Sequence, residues 1–309
     1  MKSVSFYAAL ILLTTLFACS ENSQQASEET MDKKEKKVKE NDEKVDLRFP
    51  AISPRSQVNQ VIGVTDVRID YSRPAVRERV VWGELVPYNE IWRTGANAPT
   101  TIKLQHDVMV NGNPVAAGKY SIITIPNENG NWKLMFHKDT EVNSSIGYDE
   151  ANDALQLELQ AESTDVHYEM MTFKFIDVTE TSGTAVMAWE NLQIEFDIEV
   201  NTHDIVLKKI DKAIKNADDD DWMVYSQSAR YLVSKGERME DAEKWINKSI
   251  SIEENWRNYF AKANLREKQG DIPRAIELTE KALEAGRKDE SFGAEGFLIG
   301  NLERLKSEI

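Results

Sequence analysis

Hydrophobic and polar residues alternate through the middle of the chain, from about Arg48 to Val200. Apolar residues at every second position are typical of strands with one face in a core and the other in water. The clearest runs are Val67, Ile69 and Tyr71; Ile102 and Leu104; Trp132, Leu134 and Phe136; Leu155, Leu157 and Leu159; Phe173 and Phe175; and Ile194, Phe196, Ile198 and Val200. The pattern predicts about eight short strands.

Turn-forming pairs separate several of these runs, at Asn111–Gly112, Asn129–Gly130 and Ser182–Gly183. Short strands joined by such turns, without long amphipathic helices between them, indicate an antiparallel sandwich or barrel. Of the two we expect an antiparallel β-sandwich over residues 48–201. No glycine-rich phosphate loop of Walker or Rossmann spacing occurs, so a parallel nucleotide-binding sheet is not indicated.

The periodicity becomes helical from about Asp204, and the sequence then repeats itself at a separation of 34 residues. The matching pairs are Trp222 and Trp256, Tyr225 and Tyr259, Ala229 and Ala263, and Gly236 and Gly270. This is the length of a tetratricopeptide repeat. After the glycine the separation falls to 33, which predicts a one-residue insertion near Met239. We predict an all-α, tetratricopeptide-like helical domain over residues 203–309, with a generic helical bundle as the alternative.

The first residues resemble a bacterial lipoprotein precursor. An apolar stretch from Phe6 to Ala18 follows Lys2 and is too short to span a membrane, which takes about 20 residues, so residues 1–18 are predicted to be a signal peptide. The segment Leu16–Cys19 resembles a lipobox, which predicts cleavage before Cys19 and acyl chains on its thiol. The alternative is an ordinary secretory peptide with an incidental cysteine.

Residues 19–47 are rich in Ser, Gln, Glu, Lys and Asp and are predicted to form a flexible tether. Cys19 is the single cysteine, so the protein can form no internal disulfide or thiolate metal cage. We expect lipid anchoring in the cell envelope, with the outer membrane preferred because Ser20 is not the aspartate that signals inner-membrane retention. The net charge of −15 disfavours nucleic acid as a partner.

Distinctive motifs occupy the segment between the second and third predicted strands and recur in later strands. They are Tyr71-Ser72-Arg73-Pro74, Trp82-Gly83, Leu85-Val86-Pro87-Tyr88, Ile91-Trp92-Arg93-Thr94-Gly95-Ala96-Asn97, Ala117-Gly118-Lys119-Tyr120-Ser121, Ile125-Pro126 and Phe136-His137-Lys138. From Ser53 to about Lys138 the chain resembles the domain-of-unknown-function 2911 family, found in exported proteins of Bacteroidetes and relatives. That resemblance implies no activity, so function has to be inferred from the residues.

Basic residues gather in the same segment. Residues 47–126 hold nine Lys or Arg against six Asp or Glu, whereas residues 137–200 hold two against fifteen. Arginine forks onto carboxylates and phosphates and stacks on aromatic rings. We therefore predict a cleft for an anionic or sugar-like ligand. Its candidate residues are Arg73, Arg77, Arg93 and Asn97, the walls Trp82, Tyr88 and Trp92, and His137 on an adjoining strand.

A structural role for the same residues is the alternative. In that interpretation Arg73 and Arg93 pair with acids such as Asp70 or Glu90 and fasten a long crossover to the sandwich, while the tryptophans close the core. The run Asp218–Asp221 is interpreted in the same way, as the start of a helix at Trp222, because it lacks the glycine and glutamate of a calcium-binding loop.

No catalytic motif is evident. The four histidines lack HExxH or HxH spacing and no GxSxG elbow occurs, so neither a catalytic metal nor a serine nucleophile is predicted, and no cofactor is expected. The favoured hypothesis is a non-enzymatic envelope lipoprotein that binds a protein or peptide through its helical repeats and a polar ligand through its sandwich. The alternative is an envelope hydrolase acting on carbohydrate or peptide, using His137 or an acidic pair.

Overall fold

A computed structural model of the protein describes residues 49–142 and 146–309. The predicted signal peptide, Cys19 and the tether lie outside the described residues. Residues 52–309 form one compact unit in which strands come first and helices follow. The predicted fold class, an antiparallel β part followed by an α-helical part, is confirmed.

The β part contains ten strands within the described residues. They are β1 (Arg55–Ile62), β2 (Thr65–Ser72), β3 (Thr101–Leu104), β4 (Val108–Val110), β5 (Asn113–Val115), β6 (Gly118–Ile125), β7 (Asn131–His137), β8 (Asp153–Gln160), β9 (Glu162–Ile176) and β10 (Ser182–Glu199). A short 3-10 helix, Glu150–Asn152, precedes β8.

The strands form two antiparallel sheets that share one core. One sheet has the order β1-β2-β3-β6-β7-β8 and the other the order β5-β4-β10-β9. The alternating apolar residues point between the sheets, as in Ile69 of β2, Phe136 of β7 and Phe196 of β10, which are all almost fully buried. Burial of these side chains supplies the main driving force for the sandwich, at about 1.5–3 kcal/mol for each large one.

Two of the three predicted turns are confirmed and one is wrong. Asn111 and Gly112, between β4 and β5, both have positive φ, and Gly130 has φ 84° before β7. Ser182–Gly183 instead begins β10, and the turn precedes it at residues 177–181. Gly183 is small for a packing reason, because a Cβ there would lie 3.1 Å from the Ile62 side chain.

Six helices follow in the described part of the chain. They are α1 (Thr202–Lys215), α2 (Trp222–Lys235), α3 (Met239–Ile252), α4 (Trp256–Lys268), α5 (Ile272–Gly286) and α6 (Glu295–Lys306). Side chains of Asn201, Asp221, Asn255 and Asp271 accept hydrogen bonds from the first turns of α1, α2, α4 and α5, which satisfies backbone donors that have no partner in the helix.

The 34-residue repeat corresponds to two equivalent helix pairs, α2 with α3 and α4 with α5. Trp222 and Trp256 are each the first residue of a helix, and Ala229 and Ala263 are both buried. Gly236 and Gly270 follow the first helix of each pair with φ 71° and 82°, a left-handed conformation that glycine adopts without strain. The extra residue of the first unit lies in the turn before α3, where Arg238 has φ 48°.

The helices join the sandwich directly through α1. Ile205 of α1 packs against the sandwich core, and the Thr202 hydroxyl donates a hydrogen bond of 2.6 Å to the Glu180 carbonyl. The turn after β1 approaches the same place so closely that a Cβ on Gly63 would lie 2.0 Å from Thr202 Oγ1. The start of the helical part is therefore fixed against the end of the sandwich.

Candidate functional site

The segment between β2 and β3, residues 73–100, is a structured loop, as its prolines and glycines predict. It leaves the six-stranded sheet, contacts the four-stranded sheet and returns to the six-stranded sheet. Near its start Ala75 pairs with Met170 on the edge strand β9, and farther along Trp92 pairs with Thr124 on β6. We call this segment the crossover. It covers one edge of the four-stranded sheet, which otherwise would leave backbone groups unpaired.

Arg73 fastens the beginning of the crossover. Its Nε donates to the Met171 carbonyl at 2.9 Å and its Nη2 to Thr172 Oγ1 at 2.7 Å, both on β9. The predicted pairing with Asp70 is wrong, because Asp70 accepts from Arg68 instead, at 2.6 Å. Arg73 therefore holds the loop through a backbone carbonyl and a hydroxyl rather than through an acid.

Four tryptophans pack together beneath the crossover. Trp82 and Trp92 come from the crossover, Trp132 from β7 and Trp189 from β10. Trp82 contacts each of the other three edge-on at centroid distances of 4.7–5.8 Å, and Trp92 stacks on Trp189 at 5.8 Å. The predicted role of Trp82 and Trp92 in closing the core is thus present in the structure.

The Trp92–Asn97 motif folds into a tight loop that presents Arg93. Trp92 Nε1 donates to the Gly95 carbonyl at 3.1 Å, and Thr100 Oγ1 donates to the Thr94 carbonyl at 2.5 Å. Thr94 has φ 52° and is fully buried. These internal bonds fix the backbone on both sides of Arg93.

A cavity of about 220 Å³ opens between the crossover and β10. Three arginines, Arg77, Arg79 and Arg93, line it together with Trp92 and Trp189, and we call it the arginine cavity. None of its lining residues is acidic. Arg77 and Arg79 are held by backbone carbonyls: Arg77 Nη2 donates to the Ile52 carbonyl, which precedes β1, at 3.1 Å, and Arg79 Nη2 donates to the Ala75 carbonyl of the crossover at 2.6 Å.

Two buried donors of the cavity lining, Arg93 Nε and Trp189 Nε1, have no acceptor within the described residues. Trp82 Nε1, next to the cavity but outside its lining, is also without an acceptor there. A buried donor left without a hydrogen bond costs about 1–3 kcal/mol. Several such donors at one place indicate that a water molecule or a ligand supplies the acceptor.

The structure brings together only part of the predicted cleft. Arg77, Trp92 and Arg93 line the arginine cavity. The remaining candidates lie outside its lining: Arg73 holds β9, Trp82 is in the aromatic cluster, Tyr88 packs beside Gly83, and Asn97 is exposed and donates to the Ser53 carbonyl at 3.3 Å. The aromatic and basic composition of the crossover indicated the region, but not which side chains face the cavity.

His137 does not adjoin the cavity as predicted. It follows Phe136, which faces the core, and its ring lies against Tyr148 beside a small second cluster of Ile123 and Met135 on the other face of the sheet. The ring is fully buried, and its Nδ1 bonds Asp153 Oδ1 at 2.8 Å. Burial raises the pKa of Tyr148, and its hydrogen bond to Asp153 raises the pKa further.

Arg79 and Trp189 are cavity residues that the sequence did not single out. Arg79 stands in the same basic segment as Arg77 but outside the quoted motifs. Trp189 is far away in sequence on β10, where its position in a buried alternating run reads as ordinary core. Only the contact of β10 with the crossover places it at the cavity.

The helical part contains a second concave surface, a cavity of about 490 Å³ between α2 and α4. Its lining residues are mainly polar and basic: Gln227, Arg230, Tyr231, Val233, Ser234, Ala261, Asn264, Glu267 and Lys268. We call it the helical groove. Glu267 is paired with Arg304 of α6 at 2.8 Å, which leaves the positive charge of Arg230 and Lys268 facing the groove.

Two further properties concern the described residues as a set. No group of three or more His, Cys, Asp or Glu side chains in them is arranged to hold a metal ion. Within the same ranges, no helix combines the length and the apolar character that crossing a bilayer requires.

Residues 53–198 match the model of a family described as a protein of unknown function (DUF2911). The match supports the resemblance inferred from the motifs and extends it beyond Lys138 to the end of the sandwich. The helical part lies outside the matched residues. No curated protein and no solved structure matches the chain.

Proposed function

We propose that this protein is a lipid-anchored binding protein of the bacterial envelope, which holds a protein or peptide partner in its helical groove. The observation that carries the proposal is the groove itself, a concave surface of about 490 Å³ formed by equivalent helices of two repeated units. Stacked helical repeats build concave surfaces of this kind, which suits them to binding extended segments.

The helical part is proposed to consist of tetratricopeptide-like repeats. Two 34-residue units each begin with a tryptophan at a capped helix start and turn at a left-handed glycine, which supports this assignment. The buried residues Ala242 and Ala275 occupy equivalent places in the second helices, where small side chains let paired helices approach closely. α1 and α6 would then cover the two ends.

The chemistry of the groove suits a peptide backbone with acidic side chains or a free carboxylate. Gln227 and Asn264 offer both donors and acceptors to peptide groups, while Arg230 and Lys268 supply positive charge. The tyrosine ring of Tyr231 adds an apolar wall at the same surface.

The groove is tested by a matched pair of charge-removing variants. Arg230→Gln removes a groove cation, whereas Lys244→Gln removes an exposed cation of α3 that does not line the groove. We expect wild type and Lys244→Gln to retain the same envelope proteins after crosslinking through a photoreactive residue at Asn264, and Arg230→Gln to lose them. Identical crosslinked products from all three would contradict a role for the groove.

The membrane attachment is proposed to depend on acyl chains at Cys19, with the outer membrane as the preferred location. Two or three acyl chains hold a protein firmly, whereas one binds marginally. Metabolic labelling with an alkyne fatty acid should mark the wild-type protein and leave Cys19→Ala unmarked and released from membranes. An unlabelled wild type, or a Cys19→Ala variant that stays membrane-bound, would remove the basis for the envelope location.

A second candidate function is binding of a polar ligand by the sandwich, favoured by the unpartnered donors at the arginine cavity. The alternative of an envelope hydrolase acting on carbohydrate or peptide has weaker support. His137, its candidate catalytic residue, is fully buried, bonded to Asp153 and on the sheet face away from the arginines.

A further inference from the structure

We infer that the arginine cavity binds a small organic anion, with its oxyanion group at Arg93 and its apolar body against Trp92 and Trp189. The inference rests on the second candidate function, the polar ligand of the sandwich, and names the chemical class of that ligand. A carboxylate or a phosphate group meets the requirement, because guanidinium groups donate paired hydrogen bonds to both.

Charge is the first argument. Three guanidinium groups line the cavity and no lining residue is acidic. Glu169 of β9 accepts from the backbone N–H of Arg77 at 3.0 Å and is not part of the lining. The acids of the crossover itself are also outside the lining, namely Glu78, Glu84 and Glu90. The whole chain carries a net charge of −15, so attraction of an anion to this place comes from the local arrangement and not from the overall charge.

Unequal bonding of the arginines is the second argument. Arg77 and Arg79 already donate to backbone carbonyls, which holds them in position before a ligand arrives. Arg93 has no side-chain hydrogen bond or ion pair within the described residues, and its Nε is buried. Arg93 is therefore the cation whose hydrogen-bonding capacity is open to a ligand.

The walls set the shape of the ligand. Ala75, Leu85, Val86 and Trp92 give the cavity an apolar side, and Trp189, which is 1% exposed, contributes the unpartnered Nε1 donor. At about 220 Å³ the cavity is smaller than the roughly 300–1,000 Å³ of sites for drug-sized molecules. It suits an anion with one ring or a short apolar chain.

Calorimetry on the full-length protein in neutral detergent and Tris buffer tests the inference with four probes: benzoate, phenyl phosphate, neutral benzamide and inorganic phosphate. We expect at least one ring-bearing anion to bind about tenfold or more tightly than benzamide and inorganic phosphate, because charge-assisted bonds are lost in the former and apolar contacts in the latter. Comparison of benzoate with phenyl phosphate then decides between carboxylate and phosphate.

Three variants locate the binding. Arg93→Gln should weaken binding of the preferred anion by about tenfold or more. Arg68→Gln removes the same charge from an exposed position on β2 outside the cavity and should bind like wild type. Trp189→Phe keeps a ring in the core but removes the indole N–H and should weaken binding to a smaller extent. Near-UV circular dichroism checks that each variant keeps the native packing.

The outcomes separate the inference from the function on which it rests. If benzamide binds as tightly as benzoate and phenyl phosphate, or Arg93→Gln binds the anion like wild type, the anion assignment is overturned. The cavity remains a ligand site in either case only if Trp189→Phe weakens the binding that is observed. If no probe binds to the wild-type protein, both the anion assignment and the polar-ligand function of the sandwich are overturned.

Discussion

At the scale of single residues, the arginines of the crossover divide into two kinds. Arg73 donates to Met171 and Thr172 and so joins the crossover to β9, which is the structural role that the sequence left as an alternative. Arg93 makes no comparable bond within the described residues and faces a cavity instead. Two arginines of the same crossover therefore have different roles, and a single substitution of each one separates those roles.

Substitution of Arg73 by methionine should lower the free energy of unfolding by about 1–3 kcal/mol, because the change removes two hydrogen bonds and leaves the Met171 carbonyl without this partner. Arg93→Met, the matched variant, should leave stability unchanged or slightly raised, because it removes an unpartnered buried donor. Urea denaturation followed by near-UV circular dichroism measures both. Equal losses in the two variants would show that Arg93 also fastens the loop.

His106 gives the stability a dependence on pH. Burial lowers its pKa, and Lys209 of α1 lowers it further, against smaller opposite effects of Asp66 and Asp107. The unfolded chain, with a histidine pKa of about 6.5, therefore takes up the proton first. His106 makes its full contribution to the free energy of unfolding above about pH 6.5. The contribution decreases as the pH falls from about 6.5 toward the lower pKa of the folded state, and it does not change further below that pKa.

The measurement is the thermal midpoint at pH 7.5 and 5.5. We expect the fall between these values to be smaller in His106→Gln than in wild type. His167→Gln changes an exposed histidine of β9 and should keep the wild-type difference. If His106→Gln shows the wild-type difference too, the proton uptake occurs elsewhere.

At the scale of elements, the alternation of apolar and polar residues predicts which side chains face the core only where it is continuous. It fails where a strand changes register. In β10 the residues that face the core are at odd positions first, Ala185, Met187 and Trp189, and then at even positions, Ile194 and Phe196. The switch occurs at register shifts around Glu190, which has φ 55°. A bulge adds one residue to a strand, so a single period cannot describe both halves.

Asp221 caps the start of α2. Asp221 accepts from the backbone N–H of Val224 at 3.2 Å, as the interpretation of the acidic run as a helix start requires. Asp221→Ala should destabilise the helical part by about 1 kcal/mol through loss of the cap. Asp219→Ala, from the same run, should have little effect, because Asp219 is exposed and does not cap the helix.

Far-UV circular dichroism during thermal unfolding measures the loss of helix in both variants. If calcium raised the midpoint of wild type and neither alanine variant responded to it, the run would be a metal site and the capping interpretation would be wrong.

At the scale of the whole molecule, the sandwich and the helices meet where the β1–β2 turn, the β9–β10 turn and the start of α1 come together. Gly63, Glu180 and Thr202 supply the close contacts, and Lys235 of α2 reaches Glu180 at 3.4 Å. The arginine cavity and the helical groove thus belong to one compact unit, residues 52–309.

Gly63→Ala should disturb this junction. The residue has φ 59°, and the added Cβ would lie 2.0 Å from Thr202 Oγ1 and 2.3 Å from the Glu180 carbonyl oxygen. The matched control is Gly112→Ala, at φ 74° with no atom within 4 Å of its Cβ, which carries only the conformational cost of about 1–2 kcal/mol. We expect Gly63→Ala to lose more stability than the control and to become sensitive to limited proteolysis near residue 202. Equal behaviour of the two variants would contradict a tight junction.

Sequence by itself determined the features that depend on neighbouring residues. Alternation located strands such as β2 and β7 because side chains of a strand point to opposite faces whatever surrounds them. The repeat located α2 and α4, and the acidic run located the capped start of α2, because capping and glycine turns act over a few residues.

Tertiary structure alone decided which distant residues meet. Trp189 reached the arginine cavity because β10 passes beneath the crossover, and His137 was separated from it because it points to the other face of its sheet. Arg73 and Arg93 differ only in what lies opposite them, a β9 carbonyl or an open cavity. Such contacts depend on how strands are ordered in the two sheets, and local periodicity carries no information about that order.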